Sequence, residues 1–150
     1  SVQKLEQYAD KLGSDCTFFI QNKPAFVSGK GEQLETIDFQ LKGYCLMVNP
    51  NIHISTKEAY QAIVPKVSLV QLKEAILKPK EEWQALVKND FEEALLPQYP
   101  ELNGLKNKLE KMGAYYVAMS GSGSTYYAFF ESKPTLVDFG AYQTQSFELS

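Results

Sequence analysis

The 150-residue sequence holds one histidine and two cysteines, with no Cys-x-x-Cys pair. A structural zinc site therefore lacks ligands, and no resident metal is expected in the chain. Cys16 and Cys45 lie in or beside apolar runs. Two such cysteines make no disulfide framework, and a reducing cytoplasm is the expected compartment. Positive charge is not in excess: 15 Lys+Arg stand against 18 Asp+Glu, a net charge of -3. No basic field recruits nucleic acid or an anionic membrane surface. No apolar run approaches the length that spans a bilayer. Repeats and low-complexity tracts are absent. No lysine-bearing phosphate loop occurs, so a self-contained ATP site is missing upstream of Asp15. The opening Ser1-Val2-Gln3-Lys4-Leu5 is neither a signal nor a transit peptide. It lacks methionine and begins inside an amphipathic helix, which reads as a truncated chain.

What is present is a chain of 44% hydrophobic and 22% charged residues, the balance of a soluble globular protein. Its length suits one core, or one domain plus part of another. Residues 2–12 read as the end of a helix, with Val2, Leu5, Ala9 and Leu12 on one stripe and Gly13 as its stop. Residues 17–20, 25–28 and 33–37 read as short strands of an antiparallel meander ending near Gln40, with turns at Asn22-Lys23-Pro24 and Gly29-Lys30-Gly31. Residues 44–48 form a continuous apolar run, the pattern of a strand buried on both faces.

After the Asn49-Pro50-Asn51 break, Ser55-Thr56-Lys57-Glu58 has the form of a capping box. Ser68-Leu69-Val70-Gln71 and Asn89-Asp90-Phe91-Glu92 repeat helix-start signals. Leu69, Leu72 and Ile76 share a helical face, as do Trp83, Leu86 and Val87, then Phe91, Ala94 and Leu95. Pro100 opens a further helix with Leu102, Leu105, Leu109 and Met112 inward and Gly113 as stop. Residues 115–119 and 125–130 read as a hairpin, and 144–149 as a closing strand. Helices grouped between sheet strands indicate an α+β fold.

Two segments carry candidate chemistry. In Leu12-Gly13-Ser14-Asp15, Asp15 is either a turn-former bonded to a nearby N–H or a carboxylate that takes a proton from an attacking hydroxyl. In Ser120-Gly121-Ser122-Gly123-Ser124, two glycines reach positive φ without a Cβ clash. Successive N–H groups can then face one concavity and hold an anion. The alternative is a flexible hairpin turn. The loop is neither a Walker loop, lacking a following Lys-Ser/Thr, nor a dinucleotide fingerprint, since Tyr126 stands where a third glycine belongs. His53, between Ile52 and Ile54, reads as a surface or packing residue. Residues 78–82 read as a solvated helix start. Tyr60, on the helix after the Asn-Pro-Asn break, is either a core residue or a ring available for stacking.

Four stretches, in order, carry a family resemblance: residues 12–19 (Leu-Gly-Ser-Asp-Cys-Thr-Phe-Phe), 48–60 (Val-Asn-Pro-Asn-Ile-His-Ile-Ser-Thr-Lys-Glu-Ala-Tyr), 89–100 (Asn-Asp-Phe-Glu-Glu-Ala-Leu-Leu-Pro-Gln-Tyr-Pro) and 119–125 (Met-Ser-Gly-Ser-Gly-Ser-Thr). The chain resembles the C-terminal portion of the 4-diphosphocytidyl-2-C-methyl-D-erythritol kinase family, within the GHMP kinase superfamily. The resemblance implies that residues 1–40 end an N-terminal catalytic domain and that residues 41–150 form a ferredoxin-like C-terminal domain. It implies transfer of the γ-phosphoryl group of ATP, with magnesium, to the 2-hydroxyl of a small cytidylyl-linked substrate in non-mevalonate isoprenoid biosynthesis. Asp15 would be the catalytic carboxylate, Tyr60 would stack on cytosine, and the loop formed by Ser120, Gly121, Ser122, Gly123 and Ser124 would lie beside the phosphates.

Departures from the family pattern accompany this. The partner lysine of the aspartate and the ATP-holding loop would both lie upstream of Ser1, so the chain by itself is expected to be inactive. Thr17 stands where the family usually has proline, and residues 131–142 are shorter than the crossover helix of many relatives. Another kinase of the superfamily, such as a homoserine or mevalonate kinase, and a non-catalytic ferredoxin-like binding module are the alternatives.

Overall fold

The computed structural model describes residues 1–29, 31, 33–66 and 70–150, and of Gln3 and Ser14 the backbone alone. The chain divides into two compact units, Ser1–Gln40 and Leu41–Ser150.

In the first unit, helix α1 (Val2–Leu12) ends as the sequence indicates, the Gly13 N–H reaching Ala9 C=O at 3.1 Å. Of its apolar stripe only Ala9 is buried; Val2, Leu5 and Leu12 are exposed. A 3-10 turn follows (Ser14–Cys16), then a single helical turn, α2 (Phe18–Gln21). The strand expected at residues 17–20 is therefore not formed. Phe18, Phe19 and Ile20 favour a pleated surface by type, but the backbone enters them from a 3-10 turn with Thr17 already helical (φ -61°, ψ -37°). It leaves through Asn22, whose left-handed φ of 49° lets its N–H close on Phe18 C=O at 2.9 Å. Asparagine tolerates that conformation better than other residues with a Cβ, so the Asn-Lys-Pro segment ends a helix here and not a strand. What remains of the meander is a two-stranded hairpin, β1 (Ala25–Ser28) against β2 (Gln33–Thr36), with Ala25 opposite Thr36. Lys30 of the expected turn lies outside the described residues.

The second unit is built on an antiparallel sheet of β3 (Gly43–Asn49), β4 (Tyr116–Met119), β5 (Tyr126–Phe130) and β6 (Gln143–Leu149), ordered β4-β5-β3-β6. Numbered within the unit this is 2-3-1-4, the order of a ferredoxin-like sheet. Between β3 and β4 run the helices α3 (Thr56–Ala62), α4 (Leu72–Ala75), α5 (Lys80–Leu86), α6 (Asp90–Leu95) and α7 (Pro100–Lys111). The helix-start signal at Ser68-Leu69, and Leu69 of the proposed face with Leu72 and Ile76, lie outside the described residues. Alternation sets the sheet faces: Leu46, Val48, Val117, Met119, Tyr126, Ala128 and Phe130 join one core with Leu102, Leu105 and Leu109 of α7. That spacing puts all three leucines on one helical stripe. The strand read as buried on both faces is buried fully on one, since Met47 on the other is 36% exposed. Residues 131–142 carry no helix, and Phe139 pins this crossover to the core.

The free edge of β4 is closed by side chains instead of a strand. Gln84 receives the Val117 N–H at 2.7 Å and donates to Val117 C=O at 3.1 Å. Glu92 accepts the Met119 N–H at 2.7 Å, and Asn89 donates to Met119 C=O at 2.7 Å. Pairing groups that would template a further strand are thereby satisfied from α5 and the N-terminus of α6.

Candidate functional site

The Ser120–Ser124 loop joins β4 to β5. Its neck is closed by the Ser120 N–H to Thr125 C=O at 2.8 Å, and within it the Gly123 N–H meets Ser120 C=O at 3.0 Å. Gly121 (φ 55°) and Gly123 (φ 94°) both sit in the left-handed region, so the glycines are there for their conformation. The N–H groups of Gly121 and Ser122 take no partner among the described residues. Two amides left open beside a positive-φ glycine are the raw material of an anion nest.

Below the loop, Ser124 is buried and its hydroxyl donates to Ile52 C=O at 2.5 Å. This ties the loop to the Asn-Pro-Asn segment after β3. There Asn51 is left-handed at φ 60°, its N–H bonded to Asn49 Oδ1 at 2.8 Å and its Nδ2 to Ala141 C=O at 2.8 Å. Between the two segments lies a shallow cleft of about 310 Å³, edged by Asn49, Asn51, His53, Gly123, Ser124 and Thr125. His53, read from the sequence as an ordinary surface or packing residue, is exposed at this rim.

Steric room differs between the two glycines. A Cβ on Gly121 meets open space, whereas one on Gly123 would lie 2.7 Å from Met119 Sδ and 3.4 Å from Ile54 Cδ1. Gly121→Ala is thus expected to cost about 1–2 kcal/mol, the left-handed penalty alone. Gly123→Ala should cost at least about 1 kcal/mol more, since overpacking adds to it. Paired denaturant unfolding curves check this; equal costs would mean the Met119 side chain swings aside freely.

Tyr60 stands on α3 and is 66% exposed, its ring meeting Phe91 edge-to-face with centroids 5.0 Å apart. Within this chain Tyr60 is therefore not a core residue. The Ser55 cap that starts α3 forms as expected, Ser55 Oγ accepting the Glu58 N–H at 3.1 Å, while the Glu58 carboxylate accepts the Tyr99 hydroxyl. Phe91 lies on the first turn of α6, whose cap Asn89 accepts the Phe91 and Glu92 N–H groups and also donates to Gly121 C=O at 2.8 Å. Tyr60 and the glycine loop are thus both fastened to the N-terminal turn of α6. Asp15 lies in the first unit, exposed within the Ser14–Cys16 turn.

Beneath these elements Glu92 is buried, 6% exposed, and pairs with Lys106 of α7. The Tyr126 hydroxyl has no partner among the described residues, and burial, reinforced by the Glu92 charge, pushes its phenol well above the ordinary value. Burial also pushes Tyr115 up to about 12 and raises Tyr116 and Tyr127. These phenols stay protonated at neutral pH and supply no base. Burial likewise raises the Cys45 thiol, and both cysteines are free. No group of three or more potential metal ligands occurs among the described residues. No described helix is long and apolar enough to cross a membrane.

The family described as GHMP kinases C terminal matches residues 71–139. A Bacteroides fragilis protein named 4-diphosphocytidyl-2-C-methyl-D-erythritol kinase is 46% identical over 142 residues, 93% of this chain and 52% of that protein. Proteins of the same name from Bacteroides thetaiotaomicron and Azobacteroides pseudotrichonymphae are 44% and 47% identical, covering 91% and 87% of this chain and 50% of each relative. The chain spans about half the length of the curated relatives it matches. A crystal structure of 4-(cytidine 5'-diphospho)-2C-methyl-D-erythritol kinase superposes with a TM-score of 0.72 at 24% identity, over 85% of this chain and 48% of that one; that likeness shows the fold. Over residues 71–139, then, this chain is similar to the C-terminal domain of GHMP kinases.

Proposed function

We propose that the protein carrying this chain is an ATP-dependent kinase that phosphorylates the 2-hydroxyl of 4-diphosphocytidyl-2-C-methyl-D-erythritol, a cytoplasmic step of isoprenoid biosynthesis. The observation that carries the proposal is identity of 44–47%, spread over about nine-tenths of the chain, to kinases of that name. The site's features support it. Asp15 orients or deprotonates the acceptor hydroxyl, Tyr60 offers its ring to the cytosine, and the Ser120–Ser124 loop turns amides toward the phosphates. Phosphoryl transfer asks mainly for positioning and charge stabilisation, so amides and one carboxylate are suitable equipment. Magnesium would arrive with the nucleotide phosphates. The partner is a small molecule, with no role for nucleic acid or membrane.

Tyr60 tests the substrate assignment. Stacking of a base on an aromatic ring is worth about 1–3 kcal/mol. In the full-length enzyme Tyr60→Ala should therefore raise KM for the cytidylyl substrate about ten- to a hundredfold on that scale, and Tyr60→Phe should be nearly silent. KM for ATP should stay put in both. The exposure of Tyr60 means that truncation barely touches stability, so steady-state kinetics report binding and not folding. An unchanged KM in Tyr60→Ala would direct attention to a homoserine- or mevalonate-type acceptor, or to a binding module without catalysis if the wild type is inactive.

A further inference from the structure

Asn89 makes hydrogen bonds that helix capping does not require. Its Oδ1 accepts the Phe91 N–H at 2.9 Å and the Glu92 N–H at 3.3 Å, the ordinary work of an N-cap. Its Nδ2 donates to Met119 C=O at 2.7 Å and to Gly121 C=O at 2.8 Å. Both amide protons and the carbonyl oxygen are thereby engaged. A reversed amide would set an oxygen against two carbonyls, so the network fixes its orientation. The two carbonyls flank Ser120, and holding both at one nitrogen wraps residues 119–121 around it. That bend precedes Gly121 and Ser122, whose N–H groups are the open ones.

We infer that Asn89 is a positioning residue for phosphoryl transfer: by gripping the Met119 and Gly121 carbonyls it sets the curvature that points the loop amides at the phosphates. This rests on the kinase reading given above. Transfer between oriented groups is sensitive to displacements of an ångström or less. A loop freed at one side would still bind substrate but align it poorly.

Two substitutions separate the grip from the cap. Asn89→Ser keeps a neutral capping oxygen and loses both amide N–H donors, its single, shorter hydroxyl being unable to hold both carbonyls. Asn89→Asp keeps a strong cap but turns a carboxylate oxygen toward the two carbonyls. In the full-length protein, Asn89→Ser should lower kcat about ten- to a hundredfold, with KM for the acceptor within about twofold and α6 intact. Asn89→Asp should fall further although it caps equally well. Hydrogen exchange at residues 121–124 should accelerate in both variants, with no change at the α6 N-terminus. Full kcat in both variants, or loss matching only the unfolded fraction with loop exchange unchanged, overturns the inference and leaves Asn89 a cap. An inactive wild type would instead overturn the kinase reading, and slow, wild-type loop exchange in both variants would still rule out the grip.

Discussion

Asp15→Asn in the full-length enzyme is expected to lower kcat by about two to four orders of magnitude, the scale of a lost general base, while KM values and the melting temperature hold. The turn that presents Asp15 is closed by the backbone, the Cys16 N–H to Gly13 C=O at 3.0 Å, and its following residue Thr17 is buried. The backbone bond survives the substitution. Asparagine keeps the size of the side chain and one acceptor oxygen; it loses the negative charge and the ability to take the hydroxyl proton. Loss of kcat at constant melting temperature therefore isolates the proton and charge from the turn. Normal kcat with a lowered melting temperature would instead make Asp15 a turn-former, the other reading its sequence context allows. The same experiment bears on Thr17: its φ of -61° is the value a proline ring imposes, so the threonine leaves the backbone where the resemblance expects it. Its buried hydroxyl lacks a partner among the described residues, which costs stability without displacing the carboxylate.

The second unit was readable where local signals and long-range packing agree. Pro100, the Leu102–Leu105–Leu109 spacing and Gly113 mark α7 at both ends, and the same three leucines are what the core needs. Ser55 and Asn89 announce their helices because a cap is a bond between neighbours in sequence. The hairpin around the glycine loop is legible from two apolar runs and a turn. Residues 17–20 misled because three β-favouring side chains outweigh, on paper, a helical turn whose bonds come from residues on either side. The edge closure of β4 was not legible at all. Gln84, Asn89 and Glu92 bond to backbone about thirty residues away, and nothing in their types says which strand will pass. For Asn89 the sequence shows half the side chain's role, the oxygen that caps, while the nitrogen that grips the loop is set by tertiary structure. Tyr60 is similar: position on a capped helix is visible, but exposure depends on Phe91 arriving from α6 to prop its ring.

Glu92→Ala is expected to destabilise the second unit by about 3–5 kcal/mol, the cost of removing one member of a buried pair. The substitution acts three ways at once. It strands the Lys106 ammonium, whose side chain is only 20% exposed, leaves the Met119 N–H on the closed edge of β4 without its acceptor, and opens a void beneath the loop. All fifteen basic residues are lysines, so Lys106 meets Glu92 as a point charge and not through an arginine fork; no neighbouring guanidinium can take over. Glu92→Gln should cost less, because its amide oxygen can still receive the Met119 N–H while the charge is lost. Glu92→Gln combined with Lys106→Met should recover most of the stability: the stranded cation is gone, the edge acceptor remains, and exchanging a buried ion pair for groups of similar volume is often close to neutral. Urea unfolding of the four proteins at constant m-value gives the ordering directly. A loss below about 1 kcal/mol in Glu92→Ala, the level of a surface pair, would mean that water reaches this carboxylate and that the β4 edge is held by Gln84 and Asn89 alone.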